Sequence, residues 1–408
     1  VKLAKPEALG FDAARLARID AFLDERYIRA GRFKGLQFLL AREGEPFHFT
    51  SMGSRGEDGR PVEANTLFRI ASMTKPVTSI AFMMLVEEGR VALDDPVHRV
   101  LPEFKGVGVY NGGGGGVPFV TRPTEQPMRM IDLLRHTSGL TYGFQNRSNI
   151  DLAHREGRLE AWHGNLDLDG FVAALGKLPL EFSPGEAWNY SVSTDVLGAV
   201  VQRVSGMSLD AFFAERIFQP LGMVDTFFHV PADKLDRLGD AYAFTPDDPL
   251  KLVDKAGGRS AWSRAPTLVS GGGGLVSTSA DYHRFCTMLL NRGELDGARI
   301  VSRKTIELMT MNHLPGNGDL AGMSRSLFSE AVLAGTGFGL GFAVNMDVAK
   351  GMVPGSVGEF YWGGMYSTAF FVDPLERITM VFMTQLMPSS TYPVRRELKT
   401  LIYSALAD

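Results

Sequence analysis

Phe68-Arg69-Ile70-Ala71-Ser72-Met73-Thr74-Lys75-Pro76 is the stretch on which the reading of this chain turns. Side chains three apart on a helix share a face, so the Ser72 hydroxyl and the Lys75 amine can meet. A hydroxyl attacks poorly at neutral pH unless a base takes its proton. An amine beside a helix N-terminus feels the positive end of the helix dipole, which favours its neutral, basic form. Average composition scatters roughly one S-x-x-K through a chain of this length, so placement carries the weight. The residues that follow (Val77, Ile80, Ala81, Phe82, Met84, Leu85, Val86) are apolar nearly all round, as in a helix buried on every side. Pro76 fits because the first helical turn leaves its N–H groups unpaired in any case, and Gly89 closes the helix.

Outward from this helix, residues 13–29 read as an amphipathic helix, with Leu16, Ile19, Phe22 and Leu23 at helical spacing. Residues 36–42 and 47–51 form a hairpin about Glu43-Gly44-Glu45. Helical patterns then dominate, at 130–136, 168–176, 195–205 and 209–218. Strand character returns at 335–342, where glycine alternates with mostly apolar residues, and at 360–366, 369–372 and 378–384. A helix over 394–406 ends the chain. The expected α/β (α+β) architecture is one sheet assembled from both chain ends, residues 1–95 with 266–408, and a mainly helical domain over 96–265.

Composition removes several function classes. The chain has 408 residues, 45% hydrophobic and 22% charged, with a formal net charge of −4. No basic run invites nucleic acid. No apolar run nears the roughly 20 residues of a membrane span. A single cysteine, Cys286, excludes an internal disulfide, and its helical neighbours Tyr282, Phe285, Leu289 and Leu290 make it core filler. The chain starts at Val1 without a recognisable signal peptide, so a cytoplasmic location is the expectation, a leader removed before Val1 being the alternative. The glycine runs at 112–116, 271–274 and 335–341 lack the context of a phosphate loop, and residues 106–116 read as a flexible insert near the site entrance. The eight histidines show no H-E-x-x-H spacing, so no metal and no cofactor are expected, and His136 reads as structural. No G-x-S-x-G elbow is present.

A serine–lysine pair still needs a proton donor for the leaving group and an oxyanion hole. Tyr190-Ser191-Val192 follows Pro184-Gly185 in a loop before a helix, and Trp362-Gly363-Gly364-Met365 lies late in the chain. In this order the set resembles the serine β-lactamase and penicillin-binding-protein superfamily, and within it the family VIII carboxylesterases, close in fold to class C β-lactamases. Leu133-Leu134-Arg135-His136-Thr137-Ser138-Gly139-Leu140 and Gly272-Gly273-Gly274-Leu275-Val276-Ser277-Thr278 support the resemblance, which runs from about residue 10 to the end. It implies a β-lactamase-like fold with a central antiparallel sheet flanked by helices. It implies Ser72 as nucleophile, with Lys75 and Tyr190 managing the protons and the Lys75 charge lowering the phenol's pKa. The main-chain N–H groups of Ser72 and Met365 would form the oxyanion hole. Trp362 stands where the lactamases carry lysine, and Val192 where they carry asparagine; both make the site more apolar and favour neutral esters over anionic lactams. The expected function is a carboxylesterase acting on short-chain, small-molecule esters. The alternatives are a β-lactamase or D-Ala-D-Ala peptidase, an acyltransferase using the same residues, and a non-catalytic ligand binder. Trp362, Gly363, Gly364, Met73, Tyr142, Phe144, Val192 and Phe338 are the expected substrate-binding residues.

Overall fold

Along residues 36–41 the side chains alternate between two apolar layers, Leu36, Phe38 and Leu40 on one side and Leu39 and Ala41 on the other. That period of two builds the central sheet. The computed structural model describes residues 2–161, 163–328 and 330–407. Strands β1 (Gly35–Arg42), β2 (Glu45–Gly53), β3 (Thr336–Phe338), β4 (Ala343–Asn345), β5 (Phe360–Gly363), β6 (Ala369–Asp373) and β7 (Ile378–Thr384) form it in the order β3-β4-β5-β6-β7-β1-β2. Every adjacent pair is antiparallel. The two chain ends meet where β1 pairs with β7, Phe38 opposite Phe382.

Helices α1 (Ala13–Leu23) and α5 (Val394–Ser404) cover one face. Their Leu16, Ile19, Leu398 and Ile402 pack with Phe38, Leu40, Phe371 and Met380. The other face packs on α2 (Thr74–Glu87) and α4 (Ser279–Leu290), with α3 (Ser193–Ser205) beyond α2. Helix α2 is buried from Thr74 to Leu85, which explains an apolar sequence with no polar stripe. The same apolar core runs on from α2 and the sheet into the helical middle of the chain, through Leu133, Phe171, Val196 and Phe212.

Several elements differ in extent from their sequence patterns. The first helix is α-helical only to Leu23 and continues as a π turn, Asp24–Arg29. The glycine-alternating run is an edge hairpin, β3 and β4, rather than one strand. The strand read over 360–366 stops at Gly363, so Met365 lies in the turn before β6. The glycine-rich insert forms a short hairpin, Val109–Gly112 with Val120–Arg122, whose Gly113 carbonyl accepts from Asn149 Nδ2 at 2.7 Å. It does not border the cleft described below. Cys286 is buried within α4, as its helical pattern requires.

Candidate active site

A sharp turn delivers Ser72 to the surface of a cleft. The strand pair Phe68–Arg69 with Val276–Ser277 holds the incoming chain, and Ile70 N–H bonds the Leu275 carbonyl at 3.0 Å. Ala71 then takes a φ of +43°, a left-handed value that costs a residue bearing a Cβ about 1 kcal/mol or more. The structure around it enforces this: Tyr282 Oη bonds the Met73 carbonyl at 2.8 Å and Leu275 N–H bonds Thr74 Oγ1 at 3.1 Å. One 3-10 turn, Ala71–Met73, leads into α2.

Lys75 reaches back to Ser72, with Nζ 3.1 Å from Oγ. Its remaining partners are neutral oxygens, Tyr142 Oη at 3.0 Å and the Gly272 carbonyl at 2.6 Å. Burial drives its pKa down to about 8, while the charges of Asp195 and Glu330 oppose that shift. Tyr190 Oη donates to Ser72 Oγ at 2.6 Å. Lys75 and Tyr190 thus meet on the single Ser72 oxygen.

Tyr190 lies in an aromatic cage. His136, Tyr142 and Trp362 meet its ring edge-on at 5.2, 5.3 and 5.4 Å between centroids, and Trp188 stacks at 6.2 Å. Burial in that cage pushes the Tyr190 phenol well above its ordinary pKa. The resemblance implied the opposite, a phenol acidified by Lys75. In the resting protein Lys75 Nζ lies 4.7 Å from the centre of the Tyr190 ring and hydrogen-bonds elsewhere, so desolvation dominates. His136 is buried, held well below its usual pKa by desolvation, and bonded through Nδ1 to Ser191 Oγ at 3.1 Å. It supports the loop that carries Tyr190.

Neither the Ser72 nor the Met365 N–H donates to a main-chain carbonyl among the described residues, so both are available to an oxyanion. Gly364 orders the second of these. Its N–H bonds Thr368 O at 2.9 Å, and a Cβ there would lie 2.4 Å from the Ile70 carbonyl. Only glycine lets the β5–β6 turn approach the backbone just before Ser72 so closely.

The cleft above Ser72 has a volume of about 770 Å³ and is walled by Tyr142, Phe144, Phe171, Leu268, Phe328 and Tyr366. Of the expected substrate-binding residues, only Tyr142 and Phe144 border it. Trp362, Val192, Phe338 and Met73 are each at most 1% exposed and belong to the core. Trp362 and Phe338 form the wall behind Tyr190, ring centroids 5.3 Å apart. Gly363 lies under the Arg395 guanidinium and Gly364 faces Ile70, so neither serves as a substrate platform.

Sequence reading missed the polar groups that surround Lys75. Asp195 Oδ1 accepts from Ser270 Oγ at 2.5 Å and from Gly272 N–H at 3.0 Å, fixing the loop whose Gly272 carbonyl receives Lys75. The glycine run at 271–274 thus serves the lysine, and its juxtaposition with the start of α3 is a long-range contact with no local signal. Glu160 and Glu330 also reach the cleft, bonded to His154 at 2.8 Å and to Arg395 at 2.6 Å. No lysine, arginine or histidine lies among the described residues that border the cleft. Among the described residues no cluster of three or more His, Cys, Asp or Glu could hold a metal ion.

Comparison with known proteins agrees with this fold. The model of the Beta-lactamase family matches residues 17–404. Esterase EstB of Burkholderia gladioli is 33% identical over 396 residues, covering 93% of each chain. The solved structure of EstCE1, described as a hydrolase with promiscuous acyltransferase activity, superposes with a TM-score of 0.77 at 26% identity, over 97% of this chain and 99% of its own. That of a family VIII carboxylesterase gives a TM-score of 0.70 at 24% identity, over 97% and 98%. This chain belongs to the beta-lactamase family and is a serine hydrolase of esterase or acyltransferase type.

Proposed function

We propose that the protein is a carboxylesterase that cleaves neutral, small-molecule esters through an acyl-enzyme on Ser72. The observation that carries this reading is the convergence on one serine oxygen of a lysine with lowered pKa and a tyrosine with raised pKa. Opposed pKa shifts in adjacent groups separate a base from an acid.

In acylation, Ser72 Oγ bonds to the ester carbonyl carbon and passes its proton to neutral Lys75. The carbonyl oxygen becomes an oxyanion held by the Ser72 and Met365 N–H groups. When the carbon–oxygen bond to the alcohol breaks, the departing alkoxide takes the phenolic proton of Tyr190. Tyrosinate and ammonium then stand side by side, and the ammonium stabilises the phenolate, which places the charge effect after acylation rather than before it. In deacylation, water gives its proton to the tyrosinate as it attacks. Ser72 Oγ leaves with the proton from Lys75, and both groups return to their starting forms.

The electrostatics of the cleft favour an uncharged substrate. Asp195 is bonded to Ser270 and Gly272, Glu160 to His154 and Glu330 to Arg395, and no lysine, arginine or histidine among the described lining residues would attract the carboxylate of a lactam. Acyl transfer to an alcohol uses the same steps with an alcohol in place of water, and the likeness to EstCE1 supports it as a second reading.

Intact mass spectrometry after brief exposure to an ester panel and a cephalosporin tests the proposal. The expected adduct has the mass of the ester's acyl group, maps to Ser72 and is absent from Ser72→Ala. An adduct formed only by the cephalosporin, or one retained in Ser72→Ala, contradicts it.

A further inference from the structure

Arg395 occupies a position that helix energetics disfavour. It is the second residue of α5, where a cation opposes the helix dipole. A local rule broken inside a packed structure points to a compensating role. The guanidinium is turned away from the helix toward the active site. Nη2 donates to the Gly364 carbonyl at 3.0 Å and the Thr368 carbonyl at 2.8 Å, the two ends of the turn that presents Met365. It also fills the space that a side chain at Gly363 would need: a Cβ there would lie 2.4 Å from Arg395 Cζ.

The other arm of the fork holds the opposite wall of the cleft. Nη1 bonds the Glu330 main-chain carbonyl at 3.0 Å and its Oε2 at 2.6 Å. Ser389 Oγ donates to the same Oε2 at 2.9 Å, which draws in the segment bearing Met387, Pro388 and Ser390. On the side toward Ser72, Thr368 Oγ1 bonds the Ile70 carbonyl at 3.4 Å. A planar fork with fixed donors can hold several carbonyls in register, which a lysine ammonium does less well.

We propose that Arg395 is a positioning residue for the oxyanion hole: it clamps the Gly364–Thr368 turn so that Met365 N–H and Ser72 N–H point at one oxyanion. This rests on the acyl-enzyme reading above. Arg395 touches no reacting atom, and its effect is transmitted through the turn. Losing one oxyanion donor costs about 10²–10³ in rate, and a displacement near 1 Å costs about 10², so a loosened turn lowers kcat by about 10- to 100-fold.

The test is steady-state kinetics of Arg395→Met and Arg395→Lys on p-nitrophenyl butyrate, with phenylboronic acid as a probe that forms a tetrahedral adduct on the serine. The expected result is a kcat lowered by about 10- to 100-fold, KM within about threefold of the parent, and a boronate affinity that falls with kcat. A kcat within twofold of the parent, a loss confined to KM, or an unchanged boronate affinity overturns the proposal. Should Arg395→Met fail to fold, Arg395→Lys, which keeps the charge beside Glu330, decides by the same thresholds. Ser72→Ala run in parallel separates the two failures. Activity surviving there removes the acyl-enzyme reading, whereas an inactive Ser72→Ala with fully active Arg395 variants removes only the positioning role.

Discussion

A buried lysine and a half-buried one on opposite faces of the sheet show what distinguishes an amine placed to react from a structural one. Lys399, on α5, lies 2.7 Å from the Glu359 carboxylate, and Tyr403 Oη shares its one proton between Glu359 at 2.8 Å and Asp373 at 2.6 Å. Lys75, on α2, has a tyrosine hydroxyl, a serine hydroxyl and a carbonyl instead. Both sites combine lysine, tyrosine and an oxygen acceptor. At the first the acceptor is a carboxylate, so the ammonium is compensated on contact and Tyr403 locks to the two acids. At the second the nearest carboxylate partner, Asp195, is spent on Ser270 and Gly272, and burial acts on an amine bonded only to neutral oxygens. A carboxylate in contact makes one cluster a fastener, and on the proposed mechanism the lack of one in contact suits the other to act as a base.

Exchanging each member across the two clusters sharpens that contrast. Lys75→Met is expected to lower kcat/KM on p-nitrophenyl butyrate by about 10³–10⁴, the upper range for loss of a general base. Its thermal stability at pH 7 should be unchanged or higher. A lysine whose pKa falls from 10.5 to about 8 on folding weakens the fold by about 3 kcal/mol wherever both states bind the proton, below pH 8. That penalty fades as pH rises from 8 to 10.5, because there the unfolded chain holds the proton that the folded one has lost. Loss of the Tyr142 and Gly272 bonds offsets part of the gain. Tyr190→Phe comes next, with about 10²–10³ lost in kcat and a fold that still melts cooperatively. Lys399→Met should do the reverse, lowering stability by about 2–4 kcal/mol through the uncompensated Glu359 while kcat stays within about threefold. Equal activity losses in the two lysine variants would erase the distinction between the clusters.

How much of this was legible in the sequence follows from the range of each interaction. Ser72 and Lys75 share one helical turn, so their meeting could be read from spacing. The strands at 36–42, 47–51 and 378–384 could be read because short apolar runs bounded by turn residues are a local property. Tyr190 could be placed only through the order of motifs, since its contact with Ser72 spans 118 residues. Asp195, Glu330, Arg395 and the Gly272 carbonyl left no trace, because each acts through a tertiary contact between segments whose own patterns are ordinary. Trp362 misled for a related reason. An aromatic residue on a strand faces one side or the other by register, and the register opposite Phe370 directs it into the core behind Tyr190. The resting phenol was misjudged because proximity to a cation was legible while the depth of burial was not.

The pH dependence of serine phosphonylation tests most directly whether Lys75 is the base. A neutral p-nitrophenyl phosphonate reports the first chemical step through nitrophenolate release, without a deacylation step to obscure it. Protonated Lys75 cannot accept the serine proton, so the account predicts a second-order rate that rises tenfold per pH unit at low pH and levels off with a midpoint near 8. Lys75→Met should abolish that rise. A rate that is flat or falling between pH 6 and 9, or a rise that persists in Lys75→Met, would contradict it.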